Sequence, residues 1–198
     1  MAPTPPLIRA VKARNIVECR RLIEAGEANI NEDRDPCERT ALHEASSGGL
    51  IEVVRLLLTE GADMKKGDNS GNTALHSASS RGRLDVVRLL LTEGAVMTKA
   101  DNAGRTALHW ASSRGHLDIV RLLLTEGADM TIANNNGLTA LHDASSTGQF
   151  DIANCLRKWP CTMAIIALQE LALYYYLDAS TIIDLWQYLD QYAIEIVE

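Results

Sequence analysis

The chain has 198 residues, 46% of them hydrophobic, enough to bury a core without disulfide or metal staples. Its formal net charge of −7 is unevenly spread: residues 1–158 hold all 19 Lys and Arg and 20 of the 26 acids, and residues 159–198 hold six acids and no base. A near-neutral body without a basic stripe argues against nucleic acid as a ligand, and no run of about 18 apolar residues is present to span a membrane.

Met1–Pro6 has neither the basic nor the apolar region of a secretory signal, so secretion is not expected. The four cysteines, Cys19, Cys37, Cys155 and Cys161, form no C-x-x-C pair and no metal-ligand spacing with histidine. They fit free thiols in a reducing compartment, so the expected location is the cytoplasm, with the nucleus as the alternative.

Thr4-Pro5 reads as a helix start, and Ile16–Ala25 followed by Gly26 reads as a second helix. From Thr40 a repeat takes over. Thr40-Ala41-Leu42-His43 recurs at Thr73–His76, Thr106–His109 and Thr139–His142, 33 residues apart each time. Ala-Ser-Ser follows at 45–47, 78–80, 111–113 and 144–146, then a glycine at Gly49, Gly82, Gly115 and Gly148. Next comes an amphipathic run such as Leu84–Thr92, whose inward stripe is predicted at Val86, Val87, Leu90 and Leu91. Each unit therefore reads as two short antiparallel helices. The Thr can cap the first by accepting from its opening amides. Turn-rich stretches such as Asp68–Asn72 and Asp101–Arg105 suit a projecting hairpin. Neither helix can bury its face alone, so the units must stack.

The motifs Gly-x-Thr-Ala-Leu-His-x-Ala, Gly-x-Leu-Asp-x-Val-x-Leu-Leu-Leu and Gly-Ala-Asp closely resemble the ankyrin repeat. The resemblance covers residues 4–158: a divergent capping repeat at 4–31 and units near 35–67, 68–100, 101–133 and 134–158, the last degenerating after Leu156. It implies an all-α ankyrin-repeat solenoid. Ala stands where the family usually has Pro in Thr-Pro-Leu-His, and the connector from Gly26 to Thr40 is two residues longer than that from Gly61 to Thr73.

The resemblance also implies non-catalytic binding of a partner protein on a concave face, made of hairpin tips and the exposed side of the first helices. By register the candidates are Glu44, Asn72, Ser77, Arg81, Arg105, Trp110, Arg114, Leu138 and Asp143, with Asn69, Asn102 and Asn135 at the tips. Glu44, Ser77, Trp110 and Asp143 share one position in the unit. Trp and Arg are the commonest hot spots, so Trp110 with Arg81, Arg105 and Arg114 leads, suited to an acidic or aromatic partner surface. Against it stands a packing role for Trp110 between repeats, with the arginines solvated. The repeat histidines are implied to tie adjacent hairpins by hydrogen bonds, and no convergent Cys or carboxylate set makes a metal site with them. The Ser-Ser pairs lack a Ser-His-Asp arrangement and no Gly-rich phosphate loop is present, so no enzyme, cofactor or metal is expected.

Residues 159–198 hold all five tyrosines and two of the three tryptophans. Trp159-Pro160 interrupts the fourth unit. One helix is predicted over about 162–177 and another after Asp178, with Thr181 and Asp184 as a capping box. Three roles stand open for this C-terminal helical pair. It can cap the stack with a polar outer face. It can dock a partner or a second copy of the chain through Tyr174, Tyr175, Tyr176, Trp186 and Tyr188. Or it can serve as an adaptor that recruits another protein.

Overall fold

Repetition of one short sequence gives repetition of one short structure. The computed structural model describes residues 4–159. Its helices come in pairs: α1 (Pro6–Lys12) with α2 (Ile16–Glu24), α3 (Ala41–Gly48) with α4 (Ile51–Thr59), α5 (Ala74–Ser80) with α6 (Leu84–Thr92), and α7 (Ala107–Ser113) with α8 (Leu117–Thr125). Helix α9 (Ala140–Ser146) follows, and residues 150–159 are also helical. Among the described residues, β pairing is confined to one isolated bridge between Ala133 and Thr139. The fold is an all-α repeat solenoid. The chain divides into two compact units, Met1–Ile152 and Ala153–Glu198. Helices α1–α9 make up the first, and residues 153–159 of the second are helical.

First helices stack on first helices, α1 on α3 on α5 on α7 on α9, and second helices follow suit from α2 to α8. A first helix thus has neighbours on both flanks and a partner behind. In α5 this buries Ala74, Leu75, His76, Ala78 and Ser79 and leaves only Ser77 and Ser80 half-buried. Small alanines and serines on the flanks let the helices approach closely. Leucine does the filling: Leu57, Leu90 and Leu123 are fully buried at the same position of successive second helices, each contributing roughly 1.5–3 kcal/mol by leaving water.

The second helix departs from the predicted stripe. In α6 Leu89 is buried and Leu91 only half-buried, alongside buried Val86, Val87 and Leu90. At about 100° per residue, Leu89 and Leu91 flank the arc of Val86, Val87 and Leu90 at similar angles, so the helix period alone does not choose between them. Helix α6 packs against both α4 and α8, so its neighbours decide which of the two leucines is covered.

The longer first connector is absorbed locally. The Asn29 side chain accepts from the Asn31 and Glu32 amides, and Asp33 N–H donates to the Asn29 carbonyl at 2.9 Å. Asn31 is thereby presented to the next unit, donating to the Gly61 carbonyl at 3.0 Å and accepting from Asp63 N–H at 2.8 Å. At the N-terminus, α1 begins at Pro6, with Pro at its first position as the missing N–H favours.

Candidate functional site

Each hairpin is opened by a short acceptor that organises its own backbone. Asp101 Oδ1 accepts from the N–H of Ala103 at 2.9 Å and of Arg105 at 2.8 Å. Asp35, Asp68 and Asn134 do the same in their units. Neighbouring hairpins then pair, with Asn102 N–H on the Ser70 carbonyl and Asn135 N–H on the Ala103 carbonyl. The tip asparagines continue this ladder: Asn102 Nδ2 donates to the Asn69 carbonyl and Asn135 Nδ2 to the Asn102 carbonyl, both at 3.0 Å. These amides therefore serve the scaffold, each with one N–H committed to the neighbouring hairpin. Gly71, at φ +78°, gives the approach its room, because a Cβ there would lie 2.5 Å from Asn102 Oδ1.

The histidines lock the hairpins to the helices. The His76 ring accepts at Nδ1 from the Thr73 N–H at 3.1 Å. That fixes the remaining ring proton on Nε2, which donates to the Arg105 carbonyl of the next hairpin at 3.1 Å. His43 reaches the Asn72 carbonyl and His109 the Leu138 carbonyl in the same way. The ring replaces the Glu or Gln of an ordinary capping box. His142 in α9 makes the local bond to Thr139 only, is exposed, and has no Nε2 partner among the described residues.

Burial holds the His43 and His76 rings neutral, below the ordinary imidazole range, although the carbonyls of Asn72 and Arg105 pull the other way. The unfolded chain takes up protons near pH 6.5 that these folded rings refuse. Stability is therefore complete above that pH and falls as the pH drops through it, until the depressed folded values are passed. A urea midpoint clearly lower at about pH 5 than at about pH 7.5 is the expected result, and a flat profile across that window contradicts it.

The carbonyls that the histidines hold belong to Asn72, Arg105 and Leu138, three of the sequence candidates. In the first and third units this fifth hairpin residue contacts the variable helix residue five positions on. In the first unit Arg39 pairs with Glu44 at 2.9 Å, and Lys12 approaches the same carboxylate at 3.5 Å. Glu44 is thus spent on two cations. In the third unit the Arg105 guanidinium lies over the Trp110 ring, 3.9 Å from its centroid. Asp101 Oδ2 accepts from Arg105 Nε at 3.0 Å and from the Trp110 indole N–H at 3.2 Å. Burial pushes the Asp101 carboxyl up, but the Arg105 amide, charge and guanidinium outweigh it and hold the group below its usual range.

Trp110 is therefore half-buried and held on one side by its own unit, and Arg105 is committed to holding it. Arg114 lies farther off, 5.7 Å from the ring centroid. In the second unit Asn72 and Ser77 are too small to fill the equivalent space. A groove of roughly 320 Å³ results, with Asn72, His76 and Ser77 along it, Arg39 and Trp110 from the flanking units, and Arg81. Four of the nine sequence candidates, Asn72, Ser77, Arg81 and Trp110, come together there. Arg105 and Arg114 back the tryptophan. Leu138 is exposed and Asp143 half-buried in the last unit, with burial raising the Asp143 carboxyl against the charges of His109 and Arg105. Sequence reasoning missed Asp101 as the anchor of this cluster. Its signal was an Asp opening three of the four hairpins.

Among the described residues no group of three or more His, Cys, Asp or Glu is placed to hold a metal, and no helix is long and apolar enough to cross a membrane. The tail candidates Tyr174, Tyr175, Tyr176, Trp186 and Tyr188, and the predicted helical pair, lie outside the described residues.

The family model for ankyrin repeats matches in three copies, over residues 7–101, 49–133 and 94–164. A stretch of 65 residues, 33% of the chain, is 37% identical to the 2-5A-dependent ribonuclease of Mus musculus. The match spans 9% of that protein's length.

Proposed function

Because the chain belongs to the ankyrin repeat family, whose repeats are generally protein–protein interaction modules, we propose that it is a non-catalytic scaffold that binds a partner protein in the groove between Arg39 and Trp110. The observation that carries this reading is the immobilised indole. Trp110 is fixed by Asp101 and Arg105 before any partner arrives, so little side-chain entropy is left to lose on binding. The groove beside it is lined by side chains that differ from unit to unit, Ser77 and Arg81 among them. The ribonuclease similarity spans 9% of that protein and carries nothing of its chemistry to this reading. Free Cys19, Cys37 and Cys155 support a reducing compartment, cytoplasmic or nuclear.

A second reading rests on composition. Residues 159–198 concentrate every tyrosine and carry no base, which suits a docking, self-association or adaptor element acting apart from the groove. One crosslinking experiment separates the two. A photo-reactive residue is placed in the intact chain at Ser77, at Arg88 on the exposed side of α6, or at Tyr175. Protein adducts from Ser77 and none from Arg88 are expected. Adducts from Tyr175 alone would transfer the function to the tail, and an adduct whose mass is twice the chain's would identify self-association.

A further inference from the structure

Resting on the groove reading above, we infer that the partner segment is acidic, placing carboxylates on Arg81 and Arg114 and an apolar or aromatic side chain against Trp110. The inference comes from which charges on this face are already answered. Glu44 is neutralised by Arg39 and Lys12, and Asp101 by Arg105. Asp68, the other carboxylate along the groove, accepts from the amides of Ser70 and Asn72 and from the Asn72 side chain. The basic side chains left without an ion pair on this face, among the described residues, are Arg81 and Arg114. Both are exposed, neither has an ion-pair partner there, and they occupy one position in consecutive units at the ends of α5 and α7. The flanking units carry Gly48 and Thr147 at that position, so this unpaired positive charge is confined to the central units, with Arg81 lining the groove and Arg114 near the Trp110 ring.

Stacked helices lie about 8–10 Å apart, so the two arginines suit two carboxylates of one extended segment rather than a single anion. Guanidinium forks favour carboxylates in bidentate geometry. Arg114 already leans toward the Trp110 ring, so an acidic side chain on Arg114 would bring its neighbours in the segment onto the indole. Asp143 takes the Trp110 position in the last unit, so a carboxyl meets the segment there and disfavours acids farther along the stack.

The test is selection of a random-peptide phage library on the intact chain. Three further arms are the charge reversal Arg81→Glu with Arg114→Glu, the groove-filling Ser77→Trp, and a single-stranded oligonucleotide as competitor. Selected peptides are expected to be rich in Asp and Glu with an adjacent apolar or aromatic residue. They should bind the reversed variant about tenfold more weakly or worse and be excluded by Ser77→Trp. Should the reversed variant fail to fold, Arg81→Gln with Arg114→Gln takes its place, with the same direction expected. Neutral or basic peptides that Ser77→Trp excludes would overturn the acidic partner and leave the groove reading standing. Peptides indifferent to Ser77→Trp would overturn both. Displacement of acidic peptides by the oligonucleotide at submicromolar concentration would point to phosphate as the ligand and overturn the inference.

Discussion

His76→Ala is expected to cost the stack about 4 kcal/mol, among the largest losses available to a single polar substitution. The ring is only 1% exposed. Its removal strands the Thr73 N–H, worth roughly 1–3 kcal/mol when left buried without a partner, takes one of two donors from the Arg105 carbonyl, which keeps the Asp101 N–H at 2.9 Å, and opens a cavity between α5 and its neighbours. The control is in the same molecule. His142 occupies the equivalent position in α9, but it is exposed and makes only the local bond. His142→Ala should cost no more than about 1 kcal/mol, the usual value of a cap. Urea denaturation of the two variants side by side gives the comparison, and similar midpoints would contradict the locking role. His76→Ala should also loosen the face, because the carbonyl it holds belongs to Arg105, which covers Trp110.

The second large effect falls on binding. Trp110→Ala is expected to weaken the partner by about 2 kcal/mol, roughly 30-fold, as truncation of a central aromatic anchor does. The cost to folding should be smaller. Trp110 is half-buried, and Asp101 keeps its bonds to Arg105 and to the hairpin amides after the indole is removed. This separation of affinity from stability distinguishes a binding residue from one that merely packs between repeats.

The helices, the hairpins and the locking histidines were legible in the sequence because they are periodic. Four copies of Thr-Ala-Leu-His in one register leave little freedom, and the helices begin at the alanine after each Thr. The face was legible only as a set of positions. Register singled out Glu44, Ser77, Trp110 and Asp143, but it could not say that Glu44 is bound by Lys12 of α1, a partner 32 residues away. Nor could it show that Asp101 folds back on Trp110, since that contact depends on the path of the hairpin. The two readings of Trp110, anchor or packing residue, prove less opposed than they look in one dimension: its own unit packs the indole and leaves it beside the groove. The groove itself is a contrast between units, small Ser77 flanked by an ion pair and an aromatic ring, and a contrast of that kind emerges only once the units are stacked. The exchange of Leu91 for Leu89 has the same origin, because neighbours on both sides set how wide a helix face is buried.

The claim that the stack acts through this groove is tested most directly by titration calorimetry of Trp110→Ala against the partner captured at Ser77, on protein shown by circular dichroism to be folded. The expected result is a dissociation constant roughly 30-fold above that of the unaltered chain. An unchanged constant, with the helical signal intact, would contradict it.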